Sequence, residues 1–208
     1  MANSKYEYVK DYELDDRLLP GCWIVVRLDG RAFTRFSQLH SFEKPNDPRA
    51  LALMDQAAKE VLREFGEIRL AFGESDEYSF VFYKHTNLYG RRASKLVSLV
   101  TSCFTGSYVR YWQQHFPDTP MQLTPLFDGR AGTQTDFKNE LLFTQFGINY
   151  NKLPEQYRKG SVVIRKKLKK LIEKEGGSAR EKEVTEPVVL HCDIIRNTFW
   201  QDHPALLS

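Results

Sequence analysis

The order in which two hydrophobic periods alternate along the first 131 residues leaves few folds open. "CWIVVRLDG" (22–30) is a short β-branched run closed by Asp-Gly and reads as a buried strand. "NDPRALALMDQAAKEVLREFG" follows, with Asn46 or Asp47 as a cap, Pro48 in the first turn and Gly66 as a stop. Leu51, Met54, Ala58, Val61, Leu62 and Phe65 recur there at helical spacing, so the stretch is an amphipathic helix. "IRLAFGESDEYSFVFYK" (68–84) reads as two strands joined through Gly73, Glu74, Ser75 and Asp76. A second helix is expected from about Arg91 to Trp112, with Leu96, Leu99, Val100, Cys103, Phe104, Ser107 and Tyr111 as its apolar stripe. "TPLFDGRA" (124–131) reads as a fourth strand. Strand, helix, strand, strand, helix, strand is the ferredoxin-like split βαβ order, an α+β fold with an antiparallel sheet.

Composition excludes several classes. With 208 residues, 41% hydrophobic and 27% charged, the chain has the make-up of an ordinary globular domain with a sizeable core. Its net charge of +3 permits a nucleic-acid partner without requiring one. Cys22, Cys103 and Cys192 are odd in number and widely spaced, which argues against a zinc ribbon or a disulfide framework and for a reducing compartment. The N-terminal "MANSKYEYVKDYELDD" has no apolar signal core, and no run approaches the roughly 20 apolar residues of a membrane span. A soluble, cytoplasmic protein with no membrane partner is expected. The five histidines, at 40, 85, 115, 191 and 203, show no ligand spacing, and neither a phosphate-binding P-loop nor a Rossmann glycine pattern occurs.

In a split βαβ fold the C-terminal end of the first strand and the turn between the second and third share one sheet edge. Asp29 ends the first strand; Asp76 and Glu77 sit in that turn. Three carboxylates brought together repel, and one takes up a proton unless a cation compensates. A hard divalent ion such as Mg²⁺ suits oxygen ligands, water and phosphate, and two such ions about 3.5–4 Å apart clamp both oxygens of a phosphoryl transfer. Asp-Gly alone is a hairpin signal and "SDE" alone is turn chemistry. Their coincidence at one edge favours a metal site. Bases lie nearby: Arg27 and Arg31 flank Asp29, Lys44 precedes the first helix, and "YGRRASK" opens the second helix with Arg91, Arg92, Ser94 and Lys95, where a helix start favours anions. Gly30 lets backbone approach a metal or phosphate closely.

The remainder is less regular. Arg158 to Lys182 holds ten basic and three acidic side chains, and "IRKKLKKLIEKE" can form a helix with Leu168, Leu171 and Ile172 on one face and its bases outward. Gly176-Gly177-Ser178 reads as a loop, and "VVLHCDIIRNTFW" returns to strand-like composition. "DGR" occurs at 29–31 and 128–130, which is too short to read as a repeat. "LFDGRA" runs straight into the polar "GTQTDFKNE", as though a segment were absent at the junction. Residues 1–131 are expected to form the palm-like domain and 132–208 an extension packed on it.

"MANSKYEYVKDYE", "VVRLDGRAF", "FEKPNDPRAL", "FGESDEYSFVF", "RRASKLVS", "KNELLFTQFGINYN", "YRKGSVV" and "LHCDIIRNTFW" together closely resemble the tRNA-His guanylyltransferases over nearly the whole chain. The resemblance implies a polymerase-like palm that adds a nucleotide in the 3′-to-5′ direction, with ATP and GTP as substrates and two Mg²⁺ ions. ATP would adenylylate the tRNA 5′-phosphate, the GTP 3′-hydroxyl would then displace AMP, and pyrophosphate would be removed. It further implies Asp29, the Gly30 carbonyl and Asp76 as metal ligands, with Glu77 as their catalytic neighbour. Nucleotide binding falls to Asp29, Gly30, Arg31, Ala32, Phe33, Thr34, Ser75 and Asp76, to Lys44 and Asp47 near the base, and to Arg92 and Lys95 at the triphosphate or 5′ end. The tRNA-His partner would meet Arg27, Asn151, Lys152, Arg158, Lys159, Lys166, Lys167, Lys169 and Lys170. A homo-oligomer, a tetramer in the family, is expected. The family's strand and helical stretch carrying a His-Ile-Asn-Asn element does not follow "FDGRA" here. Its loss would spare nucleotide binding and impair full activity. Alternatives are a broader 3′-to-5′ polymerase that repairs tRNA 5′ ends, or a non-catalytic nucleotide- or RNA-binding palm; retention of Asp29, Asp76 and Glu77 argues against the latter.

Overall fold

The computed structural model describes residues 8, 12–134, 160–173, 179–194 and 197–207. Strands β1 (Trp23–Gly30), β2 (Ile68–Glu74), β3 (Glu77–Phe82), β4 (Phe127–Gln134), β5 (Ser161–Glu173) and β6 (Ala179–Leu190) form one sheet in the order β4-β1-β3-β2-β5-β6. Every neighbouring pair is antiparallel, so β1 and β2 run parallel on either side of β3. The first four strands thus have the split βαβ order that the sequence predicts, and β5 and β6 continue the same sheet beyond β2. β4 does not stop at Ala131; it runs on through Gln134, opposite Trp23.

Helices α2 (Pro48–Glu64) and α3 (Ala93–His115) cover one sheet face. Ile24, Val26, Leu28, Phe80 and Phe82 from the strands meet Leu53, Ala57, Val61, Leu96, Val100 and Phe104 from the helices, all buried. The other face carries Trp23, Leu70, Val81, Val162 and Ile164, covered by Ile194 and by Phe199 and Trp200 of a short helix α4 (Asn197–Asp202). The middle strands are buried on both faces, which is why they read as continuous apolar runs. At about 1.5–3 kcal/mol for each large side chain removed from water, this double-sided core is the main source of stability.

Asp47, rather than Asn46, caps α2: its carboxylate accepts from the Arg49 amide at 2.9 Å, with Pro48 following it. The far end of α2 is held by Arg165 of β5, which donates to the carbonyls of Leu62, Phe65 (2.8 Å) and Ile68. A helix α1 (Phe33–Leu39) was not expected from the sequence. It is seven residues long, too short for propensity to sustain, and its Phe33 and Phe36 are anchored among Tyr108, Trp112 and Phe127.

Two expectations are corrected. The basic tract is a strand, not a helix: β5 pairs with β6 from Val162↔Leu190 to Glu173↔Ala179. Val162, Val163 and Ile164 are fully buried in the sheet, and Lys167 and Lys170 pair with Glu183 (3.5 Å) and Glu186 (2.9 Å) of β6. Cross-strand burial and charge pairing override a helical spacing of three apolar residues. Arg91 does not face phosphate either. It is only 7% exposed, and its guanidinium donates to the carbonyls of Leu18, Leu19, Cys22, Lys84 and Thr86. Among the described residues no helix is long and apolar enough to cross a membrane.

Candidate active site

β2 and β3 close through Ser75 and Asp76, with Glu74 opposite Glu77 and Ser75 at φ 55°. The turn leans on the end of β1: the Gly30 amide donates to the Asp76 carbonyl at 3.1 Å. A Cβ on Gly30 would lie 2.6 Å from the Phe33 ring and 2.9 Å from Asp76 Oδ2, so only glycine admits the Asp76 carboxylate there. Burial pushes the Asp76 carboxyl above its ordinary range; the charges of Asp29 and Glu77 push the same way, against hydrogen bonds from its own backbone and Ser75. Glu74 is raised likewise, by burial and by Glu77.

Register places Asp29 opposite Glu77 on one side and Asp128 on the other. Asp128, Asp29, Glu77 and Glu74 therefore form one row across β4, β1, β3 and β2, on the sheet face away from α2 and α3. Behind it runs a row with Arg130 and Arg27. Glu77 is paired with Arg27, and Asp128 with Arg130 at 2.8 Å. Arg27, assigned above to tRNA, stands inside the carboxylate site. Asp128 was missed: the repeated "DGR" was its signal, and only antiparallel pairing of the two copies turns that into opposed aspartates.

Among the described residues no group of three or more His, Cys, Asp or Glu side chains is arranged to hold an ion alone. An ion here would rest on Asp29, Asp76 and the Gly30 carbonyl, with water and substrate phosphate completing its shell. That sparse all-oxygen set is what Mg²⁺ takes, and a carboxyl pushed up by burial, with the charges of Asp29 and Glu77 adding to it, fits a cation.

Beside the turn lies a cavity of about 180 Å³ lined by Phe33, Thr34, Lys44, Asp47, Ser75 and Asp76, with Ala50, Leu51 and Met54 as an apolar wall. Asp29, Gly30, Arg31 and Ala32 line a separate open groove with Phe127 and Asp128. The predicted nucleotide segment thus straddles two hollows. Asp47 is buried; burial alone would raise its carboxyl, but hydrogen bonds from the Arg49 side chain (2.7 and 3.0 Å) and the Glu43 amide hold it low. It shapes the loop instead of presenting a free acceptor.

Arg92 and Lys95 line neither hollow. Arg92 pairs with Glu13 at 2.6 Å and Asp16 at 3.6 Å, and Asp16 also accepts from the Ser94 amide at 2.5 Å. The start of α3 already holds the chain's own carboxylate, kept below its usual range by Ser94 and Arg92. Lys95 lies over the Tyr89 ring at 5.7 Å. Lys166 is half-buried while Lys167, Lys169 and Lys170 are exposed. Asn151, Lys152, Arg158 and Lys159 lie outside the described residues.

The raised Asp76 has a testable sign. A carboxyl raised in the fold contributes stability below its unfolded value, and loses it as pH rises through its folded one. At neutral pH it costs stability. Asp76→Asn is therefore expected to raise Tm without divalent ions at pH 7, while removing the dependence of Tm on added Mg²⁺; differential scanning calorimetry checks both.

Residues 6–134 match a family model described as tRNAHis guanylyltransferase, and residues 128–196 match the Thg1 C terminal domain. A probable tRNA(His) guanylyltransferase of Homo sapiens is 41% identical over 266 residues, covering 100% of this chain and 89% of that protein. That alignment is longer than the chain's own 208 residues, so the chain is internally shorter than this relative. Among solved structures, the tRNA(His) guanylyltransferase of Saccharomyces cerevisiae is similar at TM-score 0.68 and 35% identity, over 77% of this chain and 93% of that one. A bacterial guanylyltransferase-like protein in complex with ATP shares the fold at TM-score 0.74 and 20% identity, over 98% and 99%. Another in complex with GTP does so at 0.70 and 22%, over 93% and 92%.

Proposed function

The chain belongs to the tRNA-His guanylyltransferase family of nucleotidyltransferases, and we propose that it adds a guanosine to the 5′ end of tRNA-His. The observation that carries this reading is Asp76 pressed against the end of β1 beside Asp29, at the mouth of a cavity with an apolar wall and Lys44, Thr34 and Ser75 on its lining. A tRNA 5′-phosphate oxygen attacks the α-phosphorus of ATP and pyrophosphate leaves. The 3′-hydroxyl of GTP attacks the activated 5′-phosphorus and AMP leaves; pyrophosphate is then removed from the added nucleotide. Two Mg²⁺ ions, when bound, supply charge stabilisation at the attacking and leaving oxygens. Asp29, the Gly30 carbonyl and Asp76 would hold them. Thr34, Ser75 and Lys44 face the phosphates or ribose, and the wall of Ala50, Leu51 and Met54 takes the base. Tyr108, pushed far up by burial, stays a hydrogen-bond donor on the cavity wall. An incoming phosphate reaches Arg92 only by displacing Glu13 and Asp16.

We place the internal shortening after Ala131, where "LFDGRA" runs into polar sequence, and its loss is expected to spare nucleotide binding and impair full turnover. The test is incubation with 5′-monophosphorylated tRNA-His, ATP, labelled GTP and Mg²⁺. Label at the 5′ end supports the reading; none, with nucleotides still bound, overturns it.

The exposed β5–β6 hairpin supplies the distributed charge that a tRNA needs. Replacing Lys166, Lys167, Lys169 and Lys170 with Ala is expected to weaken tRNA binding. It should also flatten the log-log salt dependence by about one unit or more, because fewer counterions are released. GTP affinity should not change. Parallel lines of equal affinity would remove these lysines from the tRNA interface.

A further inference from the structure

One rung below the acidic turn, a buried polar network ties the C-terminal strands to the palm. Gly73 of β2 is flanked in register by Tyr78 of β3 and Ser161 of β5. The β5–β6 register, continued one step past Val162↔Leu190, sets His191 opposite Ser161. Beneath this row lies Asp55 of α2, only 8% exposed. Tyr78 Oη donates to Asp55 Oδ1 at 2.9 Å, and Ser161 Oγ donates to Asp55 Oδ2 at 3.1 Å. With the serine proton committed to Asp55, His191 Nδ1 is the donor to Ser161 Oγ at 3.4 Å and to the Gly160 carbonyl at 3.2 Å.

The packing leaves this rung little play. A Cβ on Gly73 would overlap the Tyr78 ring, and one on Gly160, itself at φ 64°, would come within 2.5 Å of the Gly73 carbonyl. Gly73↔Tyr78 is the strand pair next to Glu74↔Glu77, and only Ser75 and Asp76 lie beyond. The attitude of the carboxylate turn is therefore set by how Tyr78 and Gly73 sit. We propose that Ser161 and His191 are positioning residues for the acidic turn, acting through Asp55 on Tyr78. The palm strands do not complete their own site; a hydroxyl and an imidazole from β5 and the end of β6 finish it. Burial raises Asp55, against hydrogen bonds from Ser161 and Tyr78 and the field of His191, so the carboxylate stays an acceptor only while its partners stay in place.

This rests on the proposed reaction for its kinetic arm alone. The experiment compares native protein with His191→Ala, His191→Asn and Ser161→Ala, below the unfolding transition of each as read by circular dichroism. Readouts are kcat and KM for GTP, and Mn²⁺ affinity by electron paramagnetic resonance. Supporting partners of ligand-bearing groups are worth about 10- to 100-fold. His191→Ala and Ser161→Ala are expected to lower kcat by that factor, with KM for GTP within about twofold and Mn²⁺ binding weakened about tenfold. Asn sets an amide N–H near the place of Nδ1, so His191→Asn is expected to recover most of both. Native-like kcat and Mn²⁺ affinity in His191→Ala, with only Tm lowered, overturns the proposal; so does a loss that Asn fails to recover. If Ser161→Ala does not fold, the His191 series decides. If the native protein adds no guanosine, the functional reading fails instead, and the Mn²⁺ comparison still decides this one.

Discussion

Asp29→Ala and Asp76→Ala are each expected to cut guanosine addition at least about 10³-fold, the loss of several kcal/mol of charge stabilisation at the transferring phosphate. The fold should survive both. Asp29 is at the outer end of β1, and Asp76 is a turn residue whose ionised form is disfavoured by burial and by its neighbours. Neither is replaceable from nearby: Glu77 is occupied by Arg27 and Asp128 by Arg130. Single-turnover measurement of adenylylation and of guanosine transfer, with circular dichroism as a control, checks the prediction. Near-normal rates in either variant would remove the site from this sheet edge.

The largest effect on stability is expected at Arg91. Five carbonyls converge on one buried guanidinium, and among the described residues no carboxylate pairs with it. Arg91→Ala strands those acceptors and is expected to cost about 3–5 kcal/mol. Arg91→Lys should recover only part, because an ammonium has three donors and no planar fork. Its neighbour should behave oppositely. Arg92 makes surface ion pairs with Glu13 and Asp16, and Arg92→Ala is expected to cost less than about 1 kcal/mol. Urea unfolding of the three variants orders them; an Arg91→Ala protein within about 1 kcal/mol of native contradicts the hub role.

These two adjacent arginines show where sequence reading stops. "GRRAS" marks a helix start with two bases, and nothing local says that one points into the core. α2 and the β2–β3 hairpin were legible because hydrophobic period and cap chemistry agree there: Asp47 and Pro48 open the helix, and the buried stripe includes Met54, Ala58, Val61 and Leu62. The meeting of Asp29 with Asp76 was legible too, since the split βαβ order alone brings those positions to one edge. What stayed hidden depends on which side chains the completed sheet sets opposite one another. Glu77 found Arg27, Asp128 found Arg130, and Asp16 found Ser94 from 78 residues away. The lysine-rich stretch was misread for the same reason, because Glu183 and Glu186 became visible as partners only once β6 lay beside β5.

Arg165 has a mechanical consequence. It grips the carbonyls at the C-terminal end of α2, while the cap at the other end, Asp47, lines the nucleotide cavity. Seventeen residues of unbroken helix make a strut about 25 Å long. Because β5 holds one end of that strut at two carbonyls, Leu62 and Phe65, and the start of β2 at a third, Ile68, the hairpin cannot shift without swinging the cavity wall. On this geometry a polynucleotide loading the hairpin and a nucleotide seating at Asp47 would each be felt at opposite ends of one rod.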